Sequence, residues 1–253
     1  MSKAKPIDIL IASLEWLEPL DQRDRDLLAG LDLRLKQFGA NDDIVRSGTH
    51  PGESCFIVGG FAARAQYLAD GGRQLDQLHV TGDFVDLHSL HLRQMDHSVI
   101  AIGPCGVAFV RHDELVSTMA HSPRLTWLLW QLTVLDGALA RTWMTCLGRR
   151  RADAAMAHLV CELLTRLRRL GAAPNNCFQF PATQADMADM LGISTVHINR
   201  ILAELRSRRL LTWSRHEVHV LDFERLAHIA DFDETYLAPG NPMPSRFQQF
   251  VAT

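Results

Sequence analysis

Thr183–Trp213, TQADMADMLGISTVHINRILAELRSRRLLTW, reads as a helix, a tight turn and a second helix whose outer face suits DNA. Thr183 can cap the first helix, with Asp186 three residues on as a short relative of the capping-box acid. Met187, Met190 and Leu191 supply its apolar side. Leu191-Gly192-Ile193 is the turn, and Gly192 can take positive φ without a Cβ penalty. Ser194 then caps a second helix through its hydroxyl. Ile198, Ile201, Leu202 and Leu205 recur at i, i+3, i+4 and i+7 and share one buried face. Val196, Asn199, Arg200 and Ala203 form the opposite face. Such a helix can present its N-terminal side chains to base edges and its free N–H groups to phosphate.

Charge is divided along the chain in a way the net value of −3 hides. Residues 147–215 carry 11 basic and 5 acidic side chains, whereas residues 1–146 carry 13 and 18. Residues 216–253 carry 2 and 6. The positive surface therefore falls on the helix-turn-helix segment, where phosphate attraction is needed. Arg200 has the fork for guanine O6 and N7, Asn199 can pair with adenine or bond a phosphate, and Val196 can meet a thymine methyl. Ser194, Thr195 and His197, at the helix start, suit phosphates. Arg206, Arg208 and Arg209 should add affinity without sequence choice.

The 253 residues suffice for two domains, and 47% apolar with 22% charged residues is ordinary for a globular protein. No apolar run approaches the roughly 20 residues of a membrane span. Asp8, Glu15 and Glu18 interrupt the N-terminal apolar stretch, so no signal peptide is read and a cytoplasmic location is expected. Five widely spaced cysteines, without a CxxC, read as reduced thiols serving as small buried hydrophobes.

Upstream of the opening segment, Ile7, Leu10, Ile11, Leu14 and Leu17 predict a helix, and a second short one follows Pro19. From about Leu31 to Val110, short apolar runs such as Cys55–Val58, Ala65–Leu68 and Val99–Ile102 end at Gly, Asp or Pro, with Asp70-Gly71-Gly72 as a hairpin signal. These predict a small antiparallel barrel or sandwich. A long helix starts after Ser122-Pro123. Its Leu125, Leu128, Leu132, Leu135 and Leu139 repeat at 3,4 spacing, the seam of a two-helix coiled coil, and predict a homodimer interface. Leu129 and Trp130 widen its apolar surface, and Gly148 is a hinge candidate. A helix from about Ala152 to Leu170 follows. Beyond the recognition helix, Leu210–Trp213 and Val218–Leu221 flank Ser214–Glu217 as a β-hairpin wing, and Asp222 can cap a last helix.

LGISTVHINRILAELRSRRLL resembles the helix-turn-helix of the Crp/Fnr family of bacterial transcription regulators, and GDFVDLHSLHLRQMDHSVIAIGPCGVAFV, Gly82–Val110, resembles the end of that family's β-roll. The likeness runs in order from about Leu27 to about Leu237. It implies an α+β chain: an antiparallel β-roll sensor domain over 1–121, a dimerisation helix and hinge over 122–147, and a winged helix-turn-helix over 148–237, followed by a peripheral tail over 238–253. It also implies a homodimer on a two-fold-symmetric operator, allosteric coupling through the long helix, and RNA polymerase as a partner.

The pocket departs from the family's nucleotide-binding pattern. Where cyclic-nucleotide relatives carry Glu for the ribose and Arg for the phosphate, this chain has Leu87 and His97, with Ser98 after it. A neutral imidazole does not replace a guanidinium fork, so cAMP and cGMP are not expected. No cysteine precedes Cys55, so the family's N-terminal iron–sulfur cluster is not expected either. Asp86, Leu87, His88, His97 and Ser98 mark the effector pocket, with Asp86 beside His88 as an acid–imidazole pair. His79, His88, His91 and His97 cluster in sequence, yet no HExxH or Cys–His set appears, so no metal ligands are assigned and haem or a metal stays open. A non-enzymatic, DNA-binding transcription regulator is the reading. The alternatives are a haem-, metal- or small-ligand sensor acting through protein contacts and, more distantly, a His-based metalloenzyme.

Overall fold

The computed structural model describes residues 5–238 and 240–244. Two helices, α1 (Pro6–Leu17) and α2 (Gln22–Ala29), open the chain, with Leu10 and Leu14 of α1 buried. An antiparallel sheet follows, made of β1 (Arg34–Phe38), β2 (Asp43–Val45), β3 (Glu53–Tyr67), β4 (Arg73–Val80) and β5 (Ser98–Arg111). Its order is β1-β5-β3-β4, with β2 also on β5.

The glycines that read as strand ends lie inside two long, bent strands. β3 runs through Gly59-Gly60 and β5 through Gly103-Pro104. Their register shifts between Ile57 and Gly59 and again between Gly59 and Phe61. Gly60 adopts φ 90°, and a Cβ there would sit 2.4 Å from the Pro104 carbonyl oxygen. Glycine at this bulge lets the sheet curl without ending the strand. The Asp70-Gly71-Gly72 hairpin forms as read, with Leu68 N–H donating to Gly72 O at 2.8 Å.

Helices α3 (His112–His121) and α4 (Pro123–Gly148) lead away from the sheet. Ser122 caps α4 by accepting from Leu125 N–H, and Pro123 occupies its first turn. The leucine row of α4 is not the exposed seam its spacing predicts. Leu125 and Leu128 are fully buried within the chain itself, in a cluster with Leu10, Leu14, Phe56 and Leu115. Leu139 is buried as well, and Leu132 and Leu135 are half-buried. The row packs α4 on its own roll and N-terminal helices, because a 3,4 repeat fits any apolar groove as well as a partner helix. The exposed apolar positions lie opposite it, at Trp130 (60% exposed), Val134 (54%) and Met144 (70%).

After α4 come α5 (Ala152–Arg169), β6 (Cys177–Gln179), α6 (Gln184–Leu191), α7 (Thr195–Ser207), β7 (Leu211–Ser214), β8 (Glu217–Val220) and α8 (Phe223–Ala230). Strands order as β6-β8-β7, and the β7–β8 hairpin is the expected wing. This unit rests on the roll. Phe180 meets Phe61 of β3 edge-on at 5.2 Å, and one buried cluster joins Leu75, Leu78 and Ile100 to Leu163, Phe180 and Met190. In the described part of the tail, Asn241 O accepts from Gln131 of α4, and Met243 N–H donates to Glu18. Residues 1–4, 239 and 245–253, including most of the tail, lie outside the described residues. Among the described residues, no helix is long and apolar enough to cross a membrane.

Candidate nucleic-acid interface and sensor pocket

α6 and α7 are built by the local chemistry their sequence contains. Thr183 Oγ1 accepts from Asp186 N–H, and Asp186 Oδ2 accepts in return from Thr183 N–H at 2.9 Å. The Asp therefore closes a reciprocal box. Gly192 ends α6 in the left-handed region at φ 63°, and Ser194 caps α7 by accepting from His197 N–H. Ile198, Ile201, Leu202 and Leu205 are buried as their period requires.

That burial turns the other face of α7 outward. Ser194, Thr195, Asn199 and Arg200 are exposed, and Val196 is 77% exposed. His197 is half-buried. Arg200 has no ion-pair partner among the described residues. Asn199 Nδ2 donates to Gln184 Oε1 at 2.9 Å, which fixes its amide beside the start of α6. The downstream arginines divide. Arg206 donates to the Trp213 carbonyl at 2.6 Å and so braces the wing, while Arg208 faces Glu204 at 3.6 Å and remains exposed. Arg209 takes φ 55° and ends the helix.

In the roll, the residues read as an effector pocket do not all converge. Asp86 accepts from Cys55 N–H at 2.7 Å, away from His88, and burial raises its carboxyl to about 7. The acid–imidazole pair lies elsewhere: His97 Nδ1 donates to Asp96 at 2.6 Å. Leu87 is buried, and Ser98 Oγ accepts from Ser47 N–H. His88 and His97 do come together, with ring centroids 5.2 Å apart. Burial and then the Arg64 charge push His97 down to about 4, so its ring is neutral near pH 7.

Arg64 is the residue the sequence did not flag. It lies in β3 between Ala63 and Ala65, and a lone charge in that apolar run was the available signal. Its Nε donates to His97 Nε2 at 3.0 Å, and Nη1 to Gln77 at 2.9 Å. Nη2 pairs with Asp136 of α4 at 3.1 Å. Gln77 also donates to Asp136. The pocket is thus crossed by a protein network joining the roll to the long helix. A neighbouring cavity of about 420 Å³ lies between α1, β4, α4 and α5, with Trp16, His79, Leu135 and Arg169 in its wall. His79 is almost wholly buried, and its Nε2 has no hydrogen-bond partner among the described residues. Burial and the Arg64 charge keep its imidazole well below the usual range.

A second network seats the winged unit. Arg166 of α5, itself buried, pairs with Glu162 and reaches Asp83 of the roll, and its Nη1 donates to Leu78 O at 3.0 Å. Glu162 in turn accepts from Trp143 of α4 and from Tyr236. All five cysteines are free, with Cys55, Cys105, Cys146 and Cys161 buried and Cys177 partly so.

Comparison with known proteins adds to this geometry. Residues 156–229 match the Crp-like helix-turn-helix domain. The chain is 26% identical over 202 residues to the transcriptional activator protein FnrL of Cereibacter sphaeroides, covering 78% of this chain and 81% of that one. It is 25% identical over 216 residues to the transcriptional activator protein Anr of Pseudomonas protegens, covering 79% and 87%. The structure of FixK2 from Bradyrhizobium japonicum superposes with a TM-score of 0.69 at 22% identity, over 79% of this chain and 98% of that one.

Proposed function

We propose that this chain is a DNA-binding transcription regulator of the Crp/Fnr type, and that it works as a homodimer reading a two-fold-symmetric operator. The observation that carries the reading is α7: one face wholly buried, the other presenting Val196, Asn199 and Arg200 beside a capped N-terminus. Arg200 and Asn199 read base edges, with Val196 against a thymine methyl. Ser194, Thr195 and His197 hold phosphates at the helix start, and Arg208 adds charge further on. Arg206 contributes by holding the wing through Trp213.

The dimer forms through the outer face of α4. Trp130, Val134, Gly137, Arg141 and Met144 repeat at 4,3,4,3 spacing, and the apolar members are exposed. Such a row stays covered only if a second copy lies along it. Two recognition helices then address half-sites about one helical turn apart. Double-stranded DNA, a second copy and RNA polymerase are the proposed partners, and Gly148 is the proposed hinge for coupling roll to winged unit.

Cyclic nucleotides are not the proposed effector. The position that would bind ribose is the buried Leu87, and the phosphate position is His97, already engaged by Asp96 and Arg64. A salt-titrated DNA-binding assay with sedimentation of the same sample tests the reading. A dimer whose operator affinity falls steeply with salt supports it. A monomer, or binding without sequence preference, contradicts it.

A further inference from the structure

We propose that His88, Asp96 and His97 form a divalent transition-metal site in the roll, and that a metal there releases Arg64 from His97. Each of the three residues offers one ligand atom, and these atoms lie within 4.8 Å of one another. Two imidazoles and one carboxylate, with water completing the shell, suit Zn²⁺, Co²⁺, Ni²⁺ or Fe²⁺ and not the hard ions Mg²⁺ or Ca²⁺. His97 is buried and His88 half-buried, whereas Asp96 is exposed and opens a route for a hydrated ion.

The fold already brings the three groups together: His97 Nδ1 and Asp96 Oδ1 lie 2.6 Å apart, and the His88 and His97 ring centroids lie 5.2 Å apart. The Arg64 charge beside the site is answered by Asp136.

Both nitrogens of His97 are already used, and this links the site to the long helix. Nδ1 donates to Asp96, and Nε2 accepts from Arg64 Nε at 3.0 Å. A metal on Nε2 takes the place of the Arg64 N–H. A metal on Nδ1 moves the ring proton to Nε2, which then faces the Arg64 donor with a donor of its own. Either way, the Arg64–His97 bond breaks. Arg64 also holds Asp136 of α4, so loading the roll changes the contact that joins it to that helix. His91, adjacent in sequence, is not among these ligands.

The regulatory meaning of this site rests on the DNA-binding reading, but metal uptake is measured without DNA. Metal-stripped full chain is titrated with Co²⁺ and followed by visible absorption, then challenged with Zn²⁺. The expected result is one Co²⁺ per chain with the ligand-field bands of a low-coordinate site, displaced by Zn²⁺. Asp96→Asn, at an exposed position that leaves the fold intact, and His88→Gln should each weaken uptake by at least about 10- to 100-fold. His228→Gln, far from the cluster in sequence, should leave it unchanged. Arg64→Gln should tighten uptake by removing the competing donor. No saturable uptake, or uptake unchanged in Asp96→Asn and His88→Gln, overturns the site, and weaker uptake in Arg64→Gln overturns the coupling. Metal uptake by a chain that fails to bind DNA would support the site while contradicting the regulator reading.

Discussion

Arg73 of the roll lies 2.7 Å from Asp186, the residue that closes the cap of α6, and the same guanidinium holds Asp189 one turn on. The roll therefore grips the first helix of the DNA-reading pair. Gln74 adds a bond from its amide to the Asp189 carbonyl at 2.6 Å. β4 is thereby tied by side-chain bonds to the helix that precedes α7.

Arg73→Met should cost about 1–3 kcal/mol of stability, because it leaves the nearly buried Asp186 without its charged partner. The change should also alter operator affinity by loosening the seat of α6. Urea unfolding and DNA titration on the same preparation measure both effects. Unchanged values in both would mean that the Arg73 bridge holds nothing.

Arg200→Ala should weaken operator binding by roughly 1–3 kcal/mol and relax preference at one base pair. Binding to a panel of single-base operator variants reads this out. If affinity and base preference both survive, α7 does not enter the groove by this face.

Arg208→Ala should reduce the slope of log affinity against log salt by about 1. Arg206→Ala should leave that slope nearer the parent value and destabilise the wing instead, since its guanidinium is committed to the Trp213 carbonyl. Equal slope changes in the two variants would contradict this division.

The two faces of α4 should respond differently. Leu128→Ala should cost about 2–5 kcal/mol of folding stability by opening a cavity in the protomer core. Val134→Asp, at an exposed position, should leave the protomer folded and shift the dimer towards monomer. Sedimentation and thermal unfolding separate the outcomes, and a dimer that persists in Val134→Asp would place the interface elsewhere.

Asp86 supplies a pH test. Its folded-state value near 7 lies above the ordinary carboxylate value, so its contribution to stability falls as pH rises from about 4 through 7. His97 and His158, held near 4 by burial first, act in the opposite sense and lose stability as pH falls below about 6.5. Asp86→Asn keeps an acceptor for Cys55 N–H and removes the titration. The variant should gain on the parent by an amount on the order of 1–3 kcal/mol between pH 5 and pH 8. A constant difference across that range would mean that Asp86 is ionised throughout.

Local chemistry was the legible part of this chain. Thr183, Gly192 and Ser194 announce the ends of α6 and α7, and Ile198, Ile201, Leu202 and Leu205 announce the buried face. Those signals act within a few residues and need no partner. The leucine row of α4 misled because periodicity gives a face without saying what covers it. Leu125 and Leu128 are covered by the roll and N-terminal helices, and the exposed row at Trp130, Val134 and Met144 has weaker apolar periodicity. Gly59-Gly60 and Gly103-Pro104 read as breaks because a bulge and a turn use the same residues. Arg64, Gln77 and Asp136 meet across 72 positions of sequence, and no local pattern could join them.

The most direct measurement is selection of genomic DNA fragments by the purified full chain, with Arg200→Ala alongside and stoichiometry determined on the recovered site. The expected result is an enriched sequence with two-fold symmetry, half-sites about one helical turn apart, two chains per site, and lost preference at one position per half-site in Arg200→Ala. Recovery of fragments with no shared sequence, or one chain bound to an asymmetric site, would contradict it.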